Sequence, residues 1–307
     1  MAKNFQIGTL NPAYGRGVHE MTDVDLVEPE QILAALRTSF TSPHYRPPML
    51  PAVSVQVHAL TRRADSTLND VVDLIETDAM LAADVLRRAQ SPLYAGRSSP
   101  RTVRDAAMRL GTKGLGELVM EVALSSRVFR VKGLEPTMAA LQKHTVAAAH
   151  CARSFAAASR VCDPDVAFLC GLLHDVGVVA GLHVLADLRR GKPIDLELVV
   201  GPLRQCADEA GALIVTLWGL PAFVRQSIER HHSPLGFDAD AARLDPAAAC
   251  VLLGDAMCSR LGMSTPLGGI DLDLHSNAAV LATLRGIGLT VDQFTNLERR
   301  MGELLCE

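Results

Sequence analysis

Residues 170–184 read CGLLHDVGVVAGLHV and lie inside a stretch, Val166 to Ala186, that is apolar apart from three ionisable side chains. These are His174, Asp175 and His183. Such a stretch can be a membrane span, a core helix whose polar groups are hydrogen-bonded, or part of a site in which a buried imidazole and carboxylate take part in chemistry. Burial of a lone carboxylate is so unfavourable that Asp175 needs a cation, a metal ion or several hydrogen-bond donors as partners.

A membrane span is disfavoured because it would place His174 and Asp175 near the middle of the bilayer, where an aspartate costs roughly 2.5–3.5 kcal/mol. The N-terminal residues, MAKNFQIGTLNPAYGRG, contain no apolar segment typical of a secretion signal. The seven cysteines are odd in number, form no CxxC pair and lie mostly in apolar surroundings, which is typical of free thiols in a reducing compartment. We therefore expect a cytoplasmic protein without membrane contact.

The composition favours helices. Of the 307 residues 49% are hydrophobic but only 4% are aromatic, so the core must be built mainly from Leu, Val and Ala. Leu and Ala are good helix formers, which predicts an α-rich protein with one large or two ordinary domains. Thirty basic and thirty-four acidic side chains give a net charge of -4 without a long basic block, so nucleic acid binding is not implied.

Prolines and glycines divide the chain. The segment SPHYRPPMLPAV has four prolines, excludes a helix and marks a boundary near 42–52, and Gly133 and Pro136 mark another. We infer two packed helical lobes divided near 130–137. Apolar periodicity and capping residues predict helices at 29–40, 53–63, 68–76, 79–89, 103–110, 114–130, 137–160, 164–174, 178–189, 195–200, 207–218, 221–231, 246–261, 276–285 and 290–304.

A short segment within the first lobe, PLYAGRSSPRTVRDAAMRLG, gives a specific structural expectation. A turn bounded by Gly96 and Pro100 should precede a helix that starts near Thr102. Val103, Ala106, Ala107 and Leu110 should then face the core, so replacement of Leu110 by alanine should lower the free energy of unfolding by about 2–5 kcal/mol.

Polar residues on the second-half helices need an explanation. His144 falls on an apolar face with Leu141 and Cys151, where a histidine is more often a hydrogen-bonded core residue than a ligand. His150 lies off that face and is expected at the rim. His174 and Asp175 are adjacent and precede Gly177, so both can converge on one ion at a helix end.

Two more places can complete such a site. ERHHSPL puts His231 and His232 at a predicted helix C-terminus, where imidazoles also favour the negative end of the helix dipole. Asp255 lies on the otherwise apolar segment VLLGDAMCSRLG. Its alternative role is a salt bridge with a buried arginine, for which Arg260 or Arg225 could serve.

The order His144, His174-Asp175, Asp255 resembles the H…HD…D pattern of the HD superfamily of metal-dependent phosphohydrolases. Three segments are more specific and resemble the HDOD domain, a bacterial signalling relative of HD and HD-GYP domains, over roughly 43–260. They read LPAVSVQVHAL (50–60), DVLRRAQSPLYAGRSSPRTVRDAAMRLGTKGLGELVMEVAL (84–124) and GALIVTLWGLPAFVRQSIERHHSP (211–234).

The resemblance implies an all-α fold in which an N-terminal helical lobe packs on an HD-like helical core. The implied organisation is an N-terminal extension (1–42), the lobe (43–132), the core (133–260) and a C-terminal helical extension (261–307). The implied role is that of a signalling or regulatory module which binds a partner protein or a nucleotide second messenger.

The resemblance also implies a site for a divalent metal (Mn, Fe, Zn or Mg), although many family members have lost the ligands. The implied ligands are His144, His174, Asp175 and Asp255, with His231 and His232 available for a second ion. The alternative function is a metal-dependent phosphodiesterase. Two departures weaken it: HD-GYP enzymes follow the HD pair with x-Gly-Lys, where this chain has Val178, and a further histidine of those enzymes is missing from the segment CADEAGA.

Overall fold

The computed structural model describes residues 28–94, 96, 99–233, 244–265, 267 and 277–305. Within these ranges the chain is helical and has no strand, which confirms the all-α prediction. A 3₁₀ turn (Pro92–Tyr94) and a π-helical turn (Leu124–Val128) accompany the α-helices. The helices are α1 (Pro29–Thr41), α2 (Ala52–Thr61), α3 (Leu68–Glu76), α4 (Ala79–Ala89), α5 (Val103–Ala123), α6 (Glu135–Ser159), α7 (Pro164–Leu173), α8 (Val176–Arg189), α9 (Leu196–Leu217), α10 (Ala222–Arg230), α11 (Pro246–Arg260), α12 (Ala278–Gly286) and α13 (Val291–Leu305).

Helix α9 corrects one predicted boundary. Two helices, 195–200 and 207–218, were expected, but a single helix runs through Pro202. Pro202 removes one backbone hydrogen bond from the helix. It is itself buried, and α9 packs against α1 and α8, so tertiary packing holds the helix together across the proline. By contrast, the break predicted between the helices 103–110 and 114–130 is present, because Gly111 has a φ of 73° inside α5.

Helices α2 to α5 form the N-terminal lobe around their own apolar core. Thr67 and Thr102 cap α3 and α5 through reciprocal hydrogen bonds with Asp70 and Asp105, so the predicted start of α5 is confirmed. The turn predicted between Gly96 and Pro100 includes residues outside the described ranges.

Leu110 corrects the expectation for the inward face of α5. Val103, Ala106 and Ala107 are buried, whereas Leu110 is half-buried against the edge of the lobe core. Because less apolar surface leaves water, we now expect Leu110→Ala to lower the free energy of unfolding by only about 1–2 kcal/mol. Urea unfolding checks this value, and an unchanged midpoint would contradict even the partial burial.

One ion pair lies inside the N-terminal lobe. The Glu121 side chain is 1% exposed, contacts the Arg88 guanidinium and accepts a hydrogen bond from the Tyr94 hydroxyl at 2.6 Å. Burial raises the pKa of Glu121 above its usual value, against the opposing effect of Arg88. The folded state therefore holds a proton that the unfolded state releases, so this group's contribution to stability falls as the pH rises through the folded-state pKa.

We predict that Arg88→Met destabilises the protein by about 2–3 kcal/mol near neutral pH, since Arg88 is partly exposed and fully buried pairs cost more to break. The deficit should shrink near pH 5, where Glu121 is more readily protonated. Urea unfolding at pH 5 and pH 8 measures both values. Arg87→Met is the control, because Arg87 is 75% exposed and pairs with Asp84. A deficit independent of pH would contradict this account.

Two further cores lie beyond the lobe. The larger joins α1 and the end of α5 to α6 through α9, and the other joins α6, α7 and α11 to α12 and α13. Ile32 and Leu36 of α1 are fully buried in the larger core, so this part of the predicted N-terminal extension packs on the second half of the chain. The proposed domain boundaries themselves stay a prediction. The cysteines of the described ranges are free thiols.

Close backbone contacts align the helices that carry the candidate ligands. A Cβ on Gly171 of α7 would lie 2.8 Å from Ala149 Cα of α6, and one on Gly254 of α11 would lie 2.8 Å from the Ala148 carbonyl oxygen. Because glycine has no Cβ, α7 and α11 can both approach α6 at these positions. The three helices therefore meet beside His144, His174 and Asp255.

Among the described residues one apolar stretch, Pro164–Arg189, is long and apolar enough to cross a membrane, with a mean hydropathy of 1.8. In the fold, 89% of that window is buried inside the protein.

Candidate metal centre

Two imidazoles face each other at the centre of the candidate site. His144 Nδ1–H donates to the Met263 carbonyl at 3.0 Å, and His174 Nδ1–H donates to the Gly171 carbonyl at 2.7 Å. A carbonyl oxygen can only accept, so each Nδ1 carries the proton and each Nε2 of a neutral ring presents a bare lone pair. The two Nε2 atoms lie 3.3 Å apart, and both rings are almost completely buried.

Two carboxylates complete this group, which we call the HD cluster: His144, His174, Asp175 and Asp255. Asp175 Oδ2 lies 3.4 Å from His174 Nε2 and 3.6 Å from His144 Nε2. Asp255 Oδ1 lies 3.3 Å from His144 Nε2, yet it is buried without a hydrogen-bond partner among the described residues. The ligand atoms of His144, His174 and Asp175 all lie within 4.8 Å of one another, and Asp255 joins this group through His144 alone. Two lone pairs and a carboxylate oxygen thus face one another, an arrangement that repels itself unless a cation lies between them.

The two carboxylates have different surroundings. Burial opposes ionisation of Asp175, whereas positive charge at the positions of His174 and His144 holds the pKa of its carboxyl below the usual value. With neutral rings, a cation bound between them would have to supply that charge. Burial raises the pKa of Asp255. The alternative salt bridge for Asp255 is wrong, because Arg260 pairs with Glu298 at 2.6 Å and Arg225 with Glu229 at 2.8 Å.

The HD cluster has the dimensions of a divalent-metal site. Protein nitrogen and oxygen ligands lie about 2.0–2.2 Å from zinc, so tetrahedral neighbours are about 3.4 Å apart. The contacts among His144, His174 and Asp175, 3.3 to 3.6 Å, match this spacing. Asp255 matches it to His144 at 3.3 Å and is not part of the group whose ligand atoms all lie within 4.8 Å of one another. A neutral imidazole held by a hydrogen bond at Nδ1 is also the usual form of a metal-binding histidine. The residues present therefore fit a divalent cation.

A second group of potential metal ligands, Asp208, His231 and His232, lies beside the HD cluster, and we call it the second donor group. The ring of His231 is 5.5 Å from that of His174 between centroids, and its Nδ1–H donates to the Ile228 carbonyl at 2.7 Å. His231 Nε2 is buried with no hydrogen-bond partner among the described residues. Burial, together with the neighbouring imidazoles, lowers the pKa of His231 to about 3, so the ring is neutral. Its Nε2 therefore carries a free lone pair that can bind a metal ion.

The other members of the second group are His232, at the rim, and Asp208, which sequence reasoning missed. His232 Nδ1 lies 3.3 Å from Asp208 Oδ2, and the His232 side chain is 49% exposed. Burial works against the charge on both groups, but their contact raises the pKa of His232 and lowers that of Asp208. Asp208 lies in the segment CADEAGA, the same segment that lacks the further histidine of HD-GYP enzymes.

Gly177 allows the two groups to lie side by side. A Cβ at this residue would fall 1.8 Å from the Ala207 carbonyl oxygen, so the first turn of α8 touches the backbone of α9 next to Asp208. Val178, in the position where HD-GYP enzymes carry lysine, is buried and apolar.

His183 and His150, the remaining histidines of α8 and α6, lie outside both groups of potential metal ligands. His183 Nε2 lies 2.7 Å from the Val128 carbonyl and connects α8 to the π-helical turn, so this member of the opening stretch is a hydrogen-bonded, half-buried residue. His150 is half-buried, in keeping with the expected rim position. Its Nε2 is buried, its ring lies 5.1 Å from that of Phe168, and burial lowers its pKa to about 3.

Known proteins share this architecture. A Geobacter sulfurreducens HDOD domain protein of unknown function superposes with a TM-score of 0.67 at 23% identity, covering 90% of this chain and 97% of its own. A Shewanella amazonensis protein named "Putative metal-dependent phosphohydrolase" gives a TM-score of 0.64 at 20% identity, covering 90% and 99%. Identities this low establish the fold alone.

An uncharacterized protein of Treponema pallidum is 24% identical over 196 residues, which is 61% of this chain. The chain spans 37% of that longer relative. The family model of the HDOD domain matches residues 48–234, more than half of the chain. The chain therefore belongs to the HDOD domain family.

Proposed function

We propose that this chain is a cytoplasmic signalling module that binds one divalent metal ion in the HD cluster and communicates with a partner protein or a nucleotide. The observation that carries the metal site is the pair of bare Nε2 atoms of His144 and His174, 3.3 Å apart and flanked by two carboxylates. A cation between them relieves the repulsion among His144, His174 and Asp175, and Asp255 lies beside His144 to support it.

The proposed metal acts on the fold. Its ligands come from α6, from the α7–α8 junction and from α11, so an ion joins helices that are distant in sequence. Imidazole with carboxylate suits Mn, Fe, Zn and Mg alike. Ion binding would fix the relative positions of these helices. A protein partner that binds the metal-bound arrangement more tightly would then respond to the metal.

A phosphohydrolase is the second candidate, and the donor group of Asp208, His231 and His232 favours it. This group holds potential ligand atoms within 4.8 Å of one another and lies beside the HD cluster. A bound divalent ion lowers the pKa of water enough to supply hydroxide near neutral pH. Val178 argues against efficient phosphodiester cleavage, because loss of one group that stabilises transition-state charge commonly lowers the rate by about 10²–10³.

Metal analysis and activity assays separate the two candidates. The full chain is stripped with a chelator, reloaded separately with Mn, Fe, Zn or Mg, and assayed for metal content and for hydrolysis of a chromogenic phosphodiester and of cyclic dinucleotides. We expect about one ion per chain and no metal-dependent turnover. Absence of any bound ion would refute the metal site, and robust metal-dependent hydrolysis that Asp255→Asn abolishes would establish the hydrolase instead.

A further inference from the structure

Most of the cysteines lie where α6, α7 and α11 pack together. Cys151 is on α6, Cys162 precedes α7, Cys170 is on α7, and Cys250 and Cys258 are on α11. Each belongs to the core shared by these helices or packs against it. None is a member of the HD cluster or of the second donor group. A covalent change at these thiols would therefore act on the helices that carry candidate ligands without altering the ligands themselves.

Two pairs of thiols are in direct contact, and each pair has one member on α11. The Cys250 thiol donates a hydrogen bond to the Cys162 sulfur. The Cys258 thiol donates one to the Cys151 sulfur. The first pair thus joins α11 to the segment between α6 and α7, and the second joins α11 to α6. Each pair places two sulfur atoms side by side, which is the arrangement from which a disulfide can form.

The two pairs differ in their access to solvent. Cys151, Cys250 and Cys258 are each 0% exposed. Cys162 is only half-buried and lies in the short segment that connects α6 to α7. A dissolved oxidant can therefore reach one member of the first pair, whereas the second pair is enclosed by the core.

Cys162 is also the more acidic thiol of its pair. The hydrogen bond from Cys250 lowers the pKa of Cys162, against burial and the charges of Asp163 and Asp245. The same hydrogen bond, together with burial, raises the pKa of Cys250. The thiolate is the reactive form of cysteine, so Cys162 is the nucleophile and Cys250 is the neighbour that can trap its oxidised form. Redox-sensing cysteines have this combination of thiolate character, access to solvent and an adjacent second cysteine.

We propose that Cys162 and Cys250 are a peroxide-sensitive pair that closes into a reversible disulfide. The Cys162 thiolate attacks one oxygen of hydrogen peroxide, the O–O bond breaks, and the departing hydroxide takes up the proton that Cys162 lost. The Cys250 sulfur then attacks the sulfenic acid on Cys162, the S–O bond breaks, and the hydroxide leaves as water with the proton of the Cys250 thiol. Two thiols and one peroxide thus give one disulfide and two waters.

The disulfide would tie α11 to the start of α7. Helix α7 ends next to His174, and α11 carries Asp255, so the link would restrain two helices that hold members of the HD cluster. Intracellular disulfides are usually transient and redox-sensing, which is compatible with the free thiols of this structure. This inference goes beyond the proposed metal-dependent signalling and does not depend on it, because no member of either group of potential metal ligands takes part.

Peroxide titration of the reduced, chelator-treated full chain tests the pair. Samples are unfolded, alkylated with N-ethylmaleimide, digested and analysed by mass spectrometry. We expect a linked peptide that contains Cys162 and Cys250, loss of both thiols from the alkylated fraction, and recovery of both after treatment with dithiothreitol. The Cys151–Cys258 pair is the internal control, because its thiols are in the same kind of contact but are enclosed, and both should remain open to alkylation throughout the titration.

Two variants separate the roles of the two thiols. Cys250→Ser should leave a sulfenic acid on Cys162 that dimedone labels, and Cys162→Ser should leave Cys250 reduced, because peroxide no longer meets an accessible thiol. Circular dichroism checks the fold of each variant, and Cys250→Ala replaces Cys250→Ser if the buried hydroxyl prevents folding. The proposal is overturned if Cys162 oxidises without linking to Cys250, if Cys250 oxidises in Cys162→Ser, or if Cys151 and Cys258 link at the same peroxide concentration. Retention of the Cys162 thiol under conditions that oxidise the urea-unfolded chain would overturn it as well.

Discussion

Replacement of His174 by alanine is expected to remove divalent-metal binding from this protein while the helical fold persists. His174 supplies one of two opposed Nε2 atoms, lies beside Asp175, and its ring also contacts that of His231 in the second donor group. Changes to groups that merely support metal ligands already lower affinity by about 10–100-fold, so loss of a ligand should lower it by at least about 100-fold.

Thermal unfolding with and without metal makes this difference visible. An ion that binds only the folded state adds about 2.7 kcal/mol of stability at a hundred times its dissociation constant. The wild-type melting temperature should therefore rise with metal concentration, and that of His174→Ala should not. Without metal the variant should lose little, because it also loses the repulsion between facing lone pairs.

His183→Ala is the matched control, since His183 is the next histidine along the same apolar stretch. It contacts the Val128 carbonyl rather than the HD cluster, so its loss should lower the baseline melting temperature through one hydrogen bond and leave the metal-dependent rise intact. Equal metal-dependent rises in wild type and His174→Ala would remove the HD cluster as the binding site.

Features determined by neighbours in sequence could be predicted. Apolar periodicity gave the bounds of α3 and α4, and it gave the start of α5 at Val103, although the predicted end at 130 lies beyond the observed end at Ala123. The break between the predicted helices 103–110 and 114–130 is present at Gly111. Pro202 was misjudged because the energy that keeps α9 continuous comes from α1 and α8, which are remote in sequence.

Some residues of the candidate site were likewise predictable from their sequence neighbours, and others were not. His174 and Asp175 stand out locally, as charged residues in an apolar stretch, and a resemblance added His144 and Asp255. Asp208 carried no such signal, because an acid on an amphipathic helix is ordinary until the fold brings His232 to it. The partial burial of His150 likewise depends on Tyr94 and Phe168, which come from separate elements.

Gly177→Ala should be the most damaging single-methyl change in this part of the protein. A Cβ there would lie 1.8 Å from the Ala207 carbonyl oxygen and 2.6 Å from the Gly211 nitrogen, and both are backbone atoms that cannot rotate away. The added methyl would have to push α8 away from α9, along a surface where the two helices share the larger core. We expect a loss of more than about 4 kcal/mol in the free energy of unfolding, at the upper end for overpacked sites.

Gly201→Ala provides the comparison, because Gly201 is exposed in the middle of α9 and a Cβ there meets nothing within 4 Å. Alanine is the better helix former, but Gly201 precedes Pro202, whose ring disfavours the helical conformation for a residue with a Cβ. The two effects oppose each other, so this variant should change the free energy of unfolding by less than about 1 kcal/mol, and urea unfolding should show a large loss for Gly177→Ala alone. Any Gly177→Ala protein that still folds should also bind metal weakly, since separation of α8 from α9 would displace Asp175. If Gly177→Ala unfolds at the same urea concentration as Gly201→Ala, the close approach of α8 and α9 is not what holds the His174-Asp175 pair in place.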